Sequence, residues 1–392
     1  MLVGMPDSPT PRAIAAPGPM STAERSLAPD LARGAMLLLI ALAHTRILHP
    51  GGAALEMPGG PGPVDDLVQV VLTTLVDGRA YPMFAALYGY GLVQIFRRGT
   101  ARGQSPDEAR RLLRRRGRWL VVFGIAHATL LYAGDILAAY GLLALLMAGA
   151  VRWADRRLAV VGIAGALAGA MWFGALQVLL GESGEPRPPA DLLVGALQRL
   201  GSVVLIAPMS AVMAIAPMMA GIWAARNGLL DEPWRHVRVL RRVALLGLPL
   251  AVAGAMPMVA RFLGWWSPDS GWAQWGSGAL HTLTGIGGGL GYAALIGLVV
   301  VRLGARRGPV TNALVAVGRR SMTCYLLQSV GWFVLTEPLL GDLFGRLGVA
   351  AAAAVGVAIW LLTVGFAVLL ARYERRGPAE TLLRRLTYRG VR

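Results

Sequence analysis

An all-α fold, built as a polytopic transmembrane bundle, follows from three features: long apolar runs, scarce charge, and the placement of that charge. The 392 residues are 55% hydrophobic and 15% charged, with a mean hydropathy of +0.56. Soluble domains carry nearer to about 25% charged residues. A hydrocarbon core is crossed by about 20 apolar residues in a helix, and the chain offers such runs repeatedly. Its net charge of +17 comes entirely from arginine, since no lysine is present. These arginines fall in short segments between apolar runs, which is the pattern of cytoplasmic loops and not the basic face of a nucleic-acid binder.

In order along the chain, residues 1–29, rich in Pro, Ala and Ser, read as a disordered cytoplasmic tail. A transmembrane domain follows over 30–371, and 372–392 form a basic cytoplasmic tail. Apolar runs at 34–48, 80–96, 117–133, 136–151, 158–181, 201–225, 243–262, 279–301, 320–336 and 347–371 predict ten spans. Shorter amphipathic pieces precede some of them, near 65–77, 105–116 and 190–199.

Arginines crowd 97–118, 152–157, 226–242, 302–307 and 372–392, while the alternate loops hold few, such as Arg187 and Arg261. The alternation places both termini in the cytoplasm and the protein in the cell membrane. Glycine-rich runs such as GALAGAMWFGA and GIGGGLGY predict close helix packing, with a cavity beside them as the alternative. A single cysteine, Cys324, excludes an internal disulfide and a cysteine-based zinc site. No ligand cluster at useful spacing implies a metal.

Ionisable groups at membrane depth are costly and point to function. At 1.5 Å per residue, His44 lies roughly 16 Å beyond Arg33, His127 roughly 13 Å beyond Arg118, and Gln328 roughly 13 Å beyond Arg319. Three spans thus carry a polar side chain to one level, which predicts a shared interior cavity. Each also has a plainer reading as an interhelical hydrogen-bonding group. Asp135 falls at the outer start of a span, where it caps free amides. Asp30 and Arg33 read as an interfacial ion pair, or as ligand-binding groups. The arginines at 110–118, with Arg114, Arg115 and Arg118 singled out, are topology signals first and a phosphate-binding patch second. His49, His236 and His281 fall near span ends, where exposure is expected.

Several segments resemble the domain-of-unknown-function family 418, the YeiB-like membrane proteins. LARGAMLLLIALAH resembles its Asp-x-x-Arg-Gly opening helix, and RAYPMFAALYGYGLVQIFRR, which begins at Arg79, its second block. The stretch RRRGRWLVVFGIAHATLLYAGDILAAYGLLALL keeps the Gly-x-x-His and Gly-Asp-Ile-Leu elements of the third. VAVGRRSMTCYLLQSV and RYERRGPAETLLRRLTYR are similar to the carboxy-terminal block, over about 225–389, with Tyr325, Gln328 and a Gly-Pro-x-Glu element.

The family more distantly resembles transmembrane acyltransferases, which carry an acyl group from a cytoplasmic thioester to an acceptor outside. In their polysaccharide-modifying branch an Arg-x10-His spacing on the first span is functional, and Arg33 and His44 have that spacing.

What the resemblance implies is acyl transfer from acyl-CoA, with acetyl-CoA as the simplest donor. The acceptor is then an extracytoplasmic glycan, lipid or small molecule. His127 or His44 serves as general base. Arg33, Asp30, Asp135, Gln328, Tyr325 and Arg79 are substrate-binding candidates, with Tyr325 and Gln328 able to donate to an oxyanion. Arg114, Arg115 and Arg118 are phosphate-binding candidates. The alternatives are a small-molecule or proton-coupled transporter and a non-catalytic membrane protein. Membrane lipids are expected partners, nucleic acid is not, and the assembly state, including a homodimer, stays open.

Overall fold

A computed structural model describes residues 27–47, 62–183, 191–267, 270–304, 306–337 and 347–389. Among them are thirteen α-helices and no strand. These are α1 (Leu27–Ile47), α2 (Pro63–Leu75), α3 (Ala80–Ala101), α4 (Pro106–Leu130), α5 (Ile136–Met147), α6 (Asp155–Ser183) and α7 (Leu192–Arg226). They continue with α8 (Val237–Phe262), α9 (Gly271–Leu303), α10 (Pro309–Arg319), α11 (Ser321–Thr336), α12 (Val349–Arg372) and α13 (Pro378–Tyr388). Of the expected tail 1–29, residues 1–26 lie outside the described residues, as do His49 and Arg187, while 27–29 belong to the first turn of α1.

Each apolar run is mainly helix, but among the described residues six helices, and not ten, are long and apolar enough to cross a membrane by themselves. They are α1, α6, α7, α8, α9 and α12. The other four runs fall short for physical reasons. α4 carries arginines through its first half, α5 has 12 residues and α11 has 16. α3 is diluted by Tyr, Gln and Arg. The six long helices turn apolar side chains outward, with Val204 80% and Leu362 74% exposed. Such an apolar exterior is suited to lipid. The chain is an integral membrane protein.

Caps set the helix ends. Ser105 and Glu108 close a capping box at the start of α4, at 3.2 and 2.8 Å. Asp191 accepts from the amides of Leu193 and Val194 at the start of α7. The first amides of α12 are met from another helix, as Asp65 of α2 accepts from Ala350 N at 2.8 Å.

The glycine runs pack helices at close range, as expected. A Cβ at Gly34 would strike the Leu314 carbonyl, and one at Gly318 the Asp30 carbonyl, so α1 and α10 meet backbone to backbone. In GIGGGLGY, Gly285, Gly288 and Gly289 clear the Gly78–Arg79 corner that leads into α3. Helix ends bearing arginine gather at one end of the bundle. There Arg97 donates to the carbonyls of Ala225 and Arg226, and Arg226 pairs with Asp155 at 3.2 Å.

Gly34→Val should therefore force α1 off α10 and cost about 2 kcal/mol. A thermal-stability measurement on the detergent-solubilised protein checks this, and an unchanged melting temperature would remove the close contact.

Candidate functional site

The hairpin of α4 and α5 brings two buried ionisable side chains together. α4 stops at Leu130, where the amides of Leu131 and Tyr132 both turn back onto the His127 carbonyl at 2.9 and 3.2 Å. Five residues beyond Leu130, Asp135 is the N-cap of α5, and its Oδ2 accepts from Ala138 N at 2.6 Å. Its other oxygen, Oδ1, lies 2.8 Å from His127 Nδ1. Gly124, one turn before His127, keeps this approach open, since a Cβ there would strike Asp135 and the Ala138 backbone. His127 is 4% exposed and Asp135 2%.

One carboxylate thus does two things: it caps a helix and orients an imidazole. When Nδ1–H donates to Asp135, the ring is held in one tautomer and the lone pair of Nε2 is left available. Nε2 is buried and has no partner among the described residues. The Tyr325 ring from α11 stands 5.1 Å from the His127 ring, at 46°. Its hydroxyl is also buried, with no hydrogen bond of good geometry among the described residues. A histidine fixed by a carboxylate, with its second nitrogen free beside a phenol, is equipped to move a proton.

A cavity of about 940 Å³ leads toward this pair from the arginine-bearing end. Arg33, Arg98, Arg102, Arg116, Arg319 and Arg320 are among its walls, with Asp30, Glu374 and Glu380 as its acids. Deeper in, Leu120, Leu137, Tyr140 and Tyr325 line it. Tyr325 therefore touches both the cavity and His127. Asp30 holds two of the arginines, Arg33 Nη1 and Arg319 Nε, each at 3.3 Å. Arg33 also reaches the Leu87 carbonyl at 3.4 Å.

The other candidates sit elsewhere. Gln328, one turn beyond Tyr325, donates Nε2 to the Leu37 carbonyl at 3.3 Å and ties α11 to α1, while its Oε1 is buried without a partner. His44 holds its own helix through Nδ1 and the Ile40 carbonyl, 2.7 Å apart, and stands edge-on to Tyr132 at 4.9 Å. His44, His127 and Gln328 share a neighbourhood, but none of the three is among the cavity walls described here.

Arg114 and Arg118 are exposed, and Arg115 donates to the Arg389 carbonyl. Arg116, part of the 110–118 cluster but not singled out within it, is the member that faces the cavity. Its signal was the four-residue spacing of Leu112, Arg116 and Leu120, all cavity walls, on a stripe that continues through Gly124 toward His127.

Arg79 lies away from the cavity, 1% exposed at the start of α3. It donates to the carbonyls of Asp77 and Ala251, and its Nη1 is 3.1 Å from His281 Nε2. His281 was expected to be exposed near a span end, yet it is buried at 2%. α9 begins at Gly271, well before the apolar run at 279, so His281 falls inside the helix. Among the described residues no group of three His, Cys, Asp or Glu side chains could hold a metal ion.

A further contact acts on the site through α11. Glu380 of α13 accepts from the Met322 and Thr323 amides at 2.7 and 3.1 Å and from the Thr323 hydroxyl at 2.5 Å. A carboxylate from the last helix thereby caps the helix that presents Tyr325. Glu380→Ala should lower stability by about 2 kcal/mol through the amides it strands, with Glu380→Gln recovering part of the loss. Thermal unfolding of the three proteins checks this.

Residues 224–390 match the family model described as Protein of unknown function (DUF418). The chain is 28% identical over 398 residues to "Uncharacterized protein YeiB" of Escherichia coli (strain K12), covering 94% of this chain and 97% of that one. It is 24% identical over 356 residues to "Uncharacterized protein YxaH" of Bacillus subtilis (strain 168), covering 81% of each. Tyr325, Gln328 and Glu380 thus fall inside the stretch that matches the DUF418 model, and the similarity to YeiB extends over nearly the whole chain.

Proposed function

We propose that this integral membrane protein is an acyltransferase that takes an acyl group from an acyl-CoA and delivers it to an acceptor arriving from the opposite face. The observation that carries the reading is the cavity that runs from arginines at its mouth to Tyr325, whose ring packs on a histidine oriented by Asp135. The positive-inside pattern assigns the arginine-rich end, and with it both termini, to the cytoplasm of a cell-membrane protein. A coenzyme's phosphates suit Arg33, Arg98, Arg102, Arg116 and their neighbours, which outnumber the acids around them. The acyl thioester then extends inward toward His127. The acceptor is a hydroxyl or amine on a glycan, a lipid or a small molecule.

In the chemical step His127 Nε2 removes the proton from the acceptor oxygen or nitrogen as it attacks the thioester carbonyl. Asp135 stabilises the imidazolium that forms. The carbonyl oxygen gains negative charge, for which the Tyr325 hydroxyl is the nearest unspent donor. Collapse breaks the carbon–sulfur bond, and the leaving thiolate takes the proton from the imidazolium. His127 is then neutral again. His44, bound through Nδ1 to its own helix, supports the Tyr132 turn that joins α4 to α5.

Two sets of measurements test this. Acetyl-CoA should bind the purified protein saturably, and Arg116→Gln or Arg33→Gln should weaken it by roughly tenfold each, the worth of one charge-assisted contact. Absence of binding up to millimolar donor would end the acyl-CoA reading and favour a transport role.

His127→Ala should abolish transfer of radiolabel from acetyl-CoA without changing donor affinity. Asp135→Asn should still cap α5 and fold, yet transfer should fall by roughly 10²–10⁴-fold. Transfer by Asp135→Asn at the wild-type rate would reduce Asp135 to its capping role.

A further inference from the structure

α4 and α11 flank the His127–Tyr325 contact, and the arginine-lined cavity approaches it from one side. On the other side stands Arg199 of α7. Arg226, at the arginine-rich end of the same helix, is 27 residues away, roughly 40 Å along the axis. Arg199 Nε donates to the Thr129 carbonyl at 3.0 Å, two residues beyond His127 in the last turn of α4. Its guanidinium carbon lies over the ring of Phe333, 5.5 Å from the centroid. Phe333 is eight residues beyond Tyr325 on α11, roughly 12 Å further out. Arg199 therefore bridges α4 and α11 one layer outward of the His127–Tyr325 pair.

The way Arg199 is held selects what it can bind. One face of the guanidinium is spent on Phe333 and the Nε–H on a helix-end carbonyl. The Nη1/Nη2 end has no hydrogen bond or ion pair among the described residues. That end is the fork that matches a carboxylate or phosphate through two parallel bonds. The hydroxyl of Thr129, whose carbonyl holds Nε, is buried and has no hydrogen-bond partner among the described residues. A residue needed only to cap α4 would use one N–H; this one is oriented by two contacts and keeps its bidentate end unused. We propose that Arg199, with Thr129, anchors an anionic group, carboxylate or phosphate, of the acceptor beside the last turn of α4, where Arg199 bridges α4 and α11. The assignment of that group to an acceptor rests on the acyl-transfer reading, and it narrows the acceptor to an anionic molecule.

The test is residue-resolved labelling of the wild-type protein with phenylglyoxal, read by mass spectrometry, in nanodiscs of phosphatidylcholine. Arg199 should be labelled, and saturating inorganic phosphate or succinate should slow its labelling roughly tenfold, the free fraction left at about ten times Kd. Chloride at equal ionic strength should not, and the exposed Arg114 should react at one rate throughout. Slowing by phosphate alone, by succinate alone, or by phosphatidylglycerol built into the disc supports the anchor and identifies its source as a free phosphate, a carboxylate or a lipid headgroup. Failure to label Arg199, a rate indifferent to every anion, or slowing by chloride to the same extent would overturn it.

Acetyl-CoA added alone serves as the separate arm: it should protect Arg116 in the cavity and leave Arg199 reactive. Loss of Arg116 protection with Arg199 protection intact would sink the acyl-CoA reading and leave the anion site standing.

Discussion

The contact on which the rest of the site depends is the Asp135 carboxylate, shared between the first turn of α5 and the ring of His127. A carboxylate buried at 2% exposure is costly unless its oxygens are bonded. Here each oxygen has a donor, one from the backbone and one from the imidazole. The same arrangement fixes the hairpin, because α5 can begin only where α4 has ended, and α4 ends on the His127 carbonyl. Local backbone economy and the orientation of a reactive ring are therefore one constraint. Removing the carboxylate would strand an amide and free the imidazole to turn.

Around this pair the bundle separates its polar groups by depth. Asp30 gathers Arg33 and Arg319 at the cavity wall, and close contact of α1 with α10 through Gly34 and Gly318 holds that wall shut. Tyr325 lies between the arginines and the histidine, as part of the cavity and part of the buried layer. Arg79 and His281 form a separate interior group between α3, α8 and α9, where a sleeve of glycines gives the guanidinium room to reach two backbone carbonyls. Its partners are the groups that join these helices, and it has no part in the cavity.

Much of this was legible in the sequence. Each apolar run became helix because a bilayer tolerates little else, and the arginine clusters came together because they mark one end of the bundle. His127 and Asp135 were both conspicuous, but their pairing was hidden. A run of 117–133 reads as unbroken helix, which sets Asp135 at the far start of the next span, whereas α4 stops at Leu130 and turns back within five residues. The burial of His281 was missed for a related reason: hydropathy marks where a helix becomes apolar, and α9 starts eight residues earlier. Arg116 was legible only by phase, since its neighbours carry the same charge and the helix turns about 100° at each step. Arg199 gave no sequence signal, because its surroundings are assembled from three helices distant in the chain.

The cap that Glu380 supplies to α11 ties the site to the order in which the chain is made. When α11 leaves the ribosome its leading amides have no carboxylate to accept from them, and that carboxylate arrives only with α13, more than fifty residues later. The dyad of His127 and Asp135 is complete long before this, within one hairpin. The His127–Asp135 contact is therefore local in the chain, while the helix bearing Tyr325 takes its cap from a residue 58 positions beyond Met322.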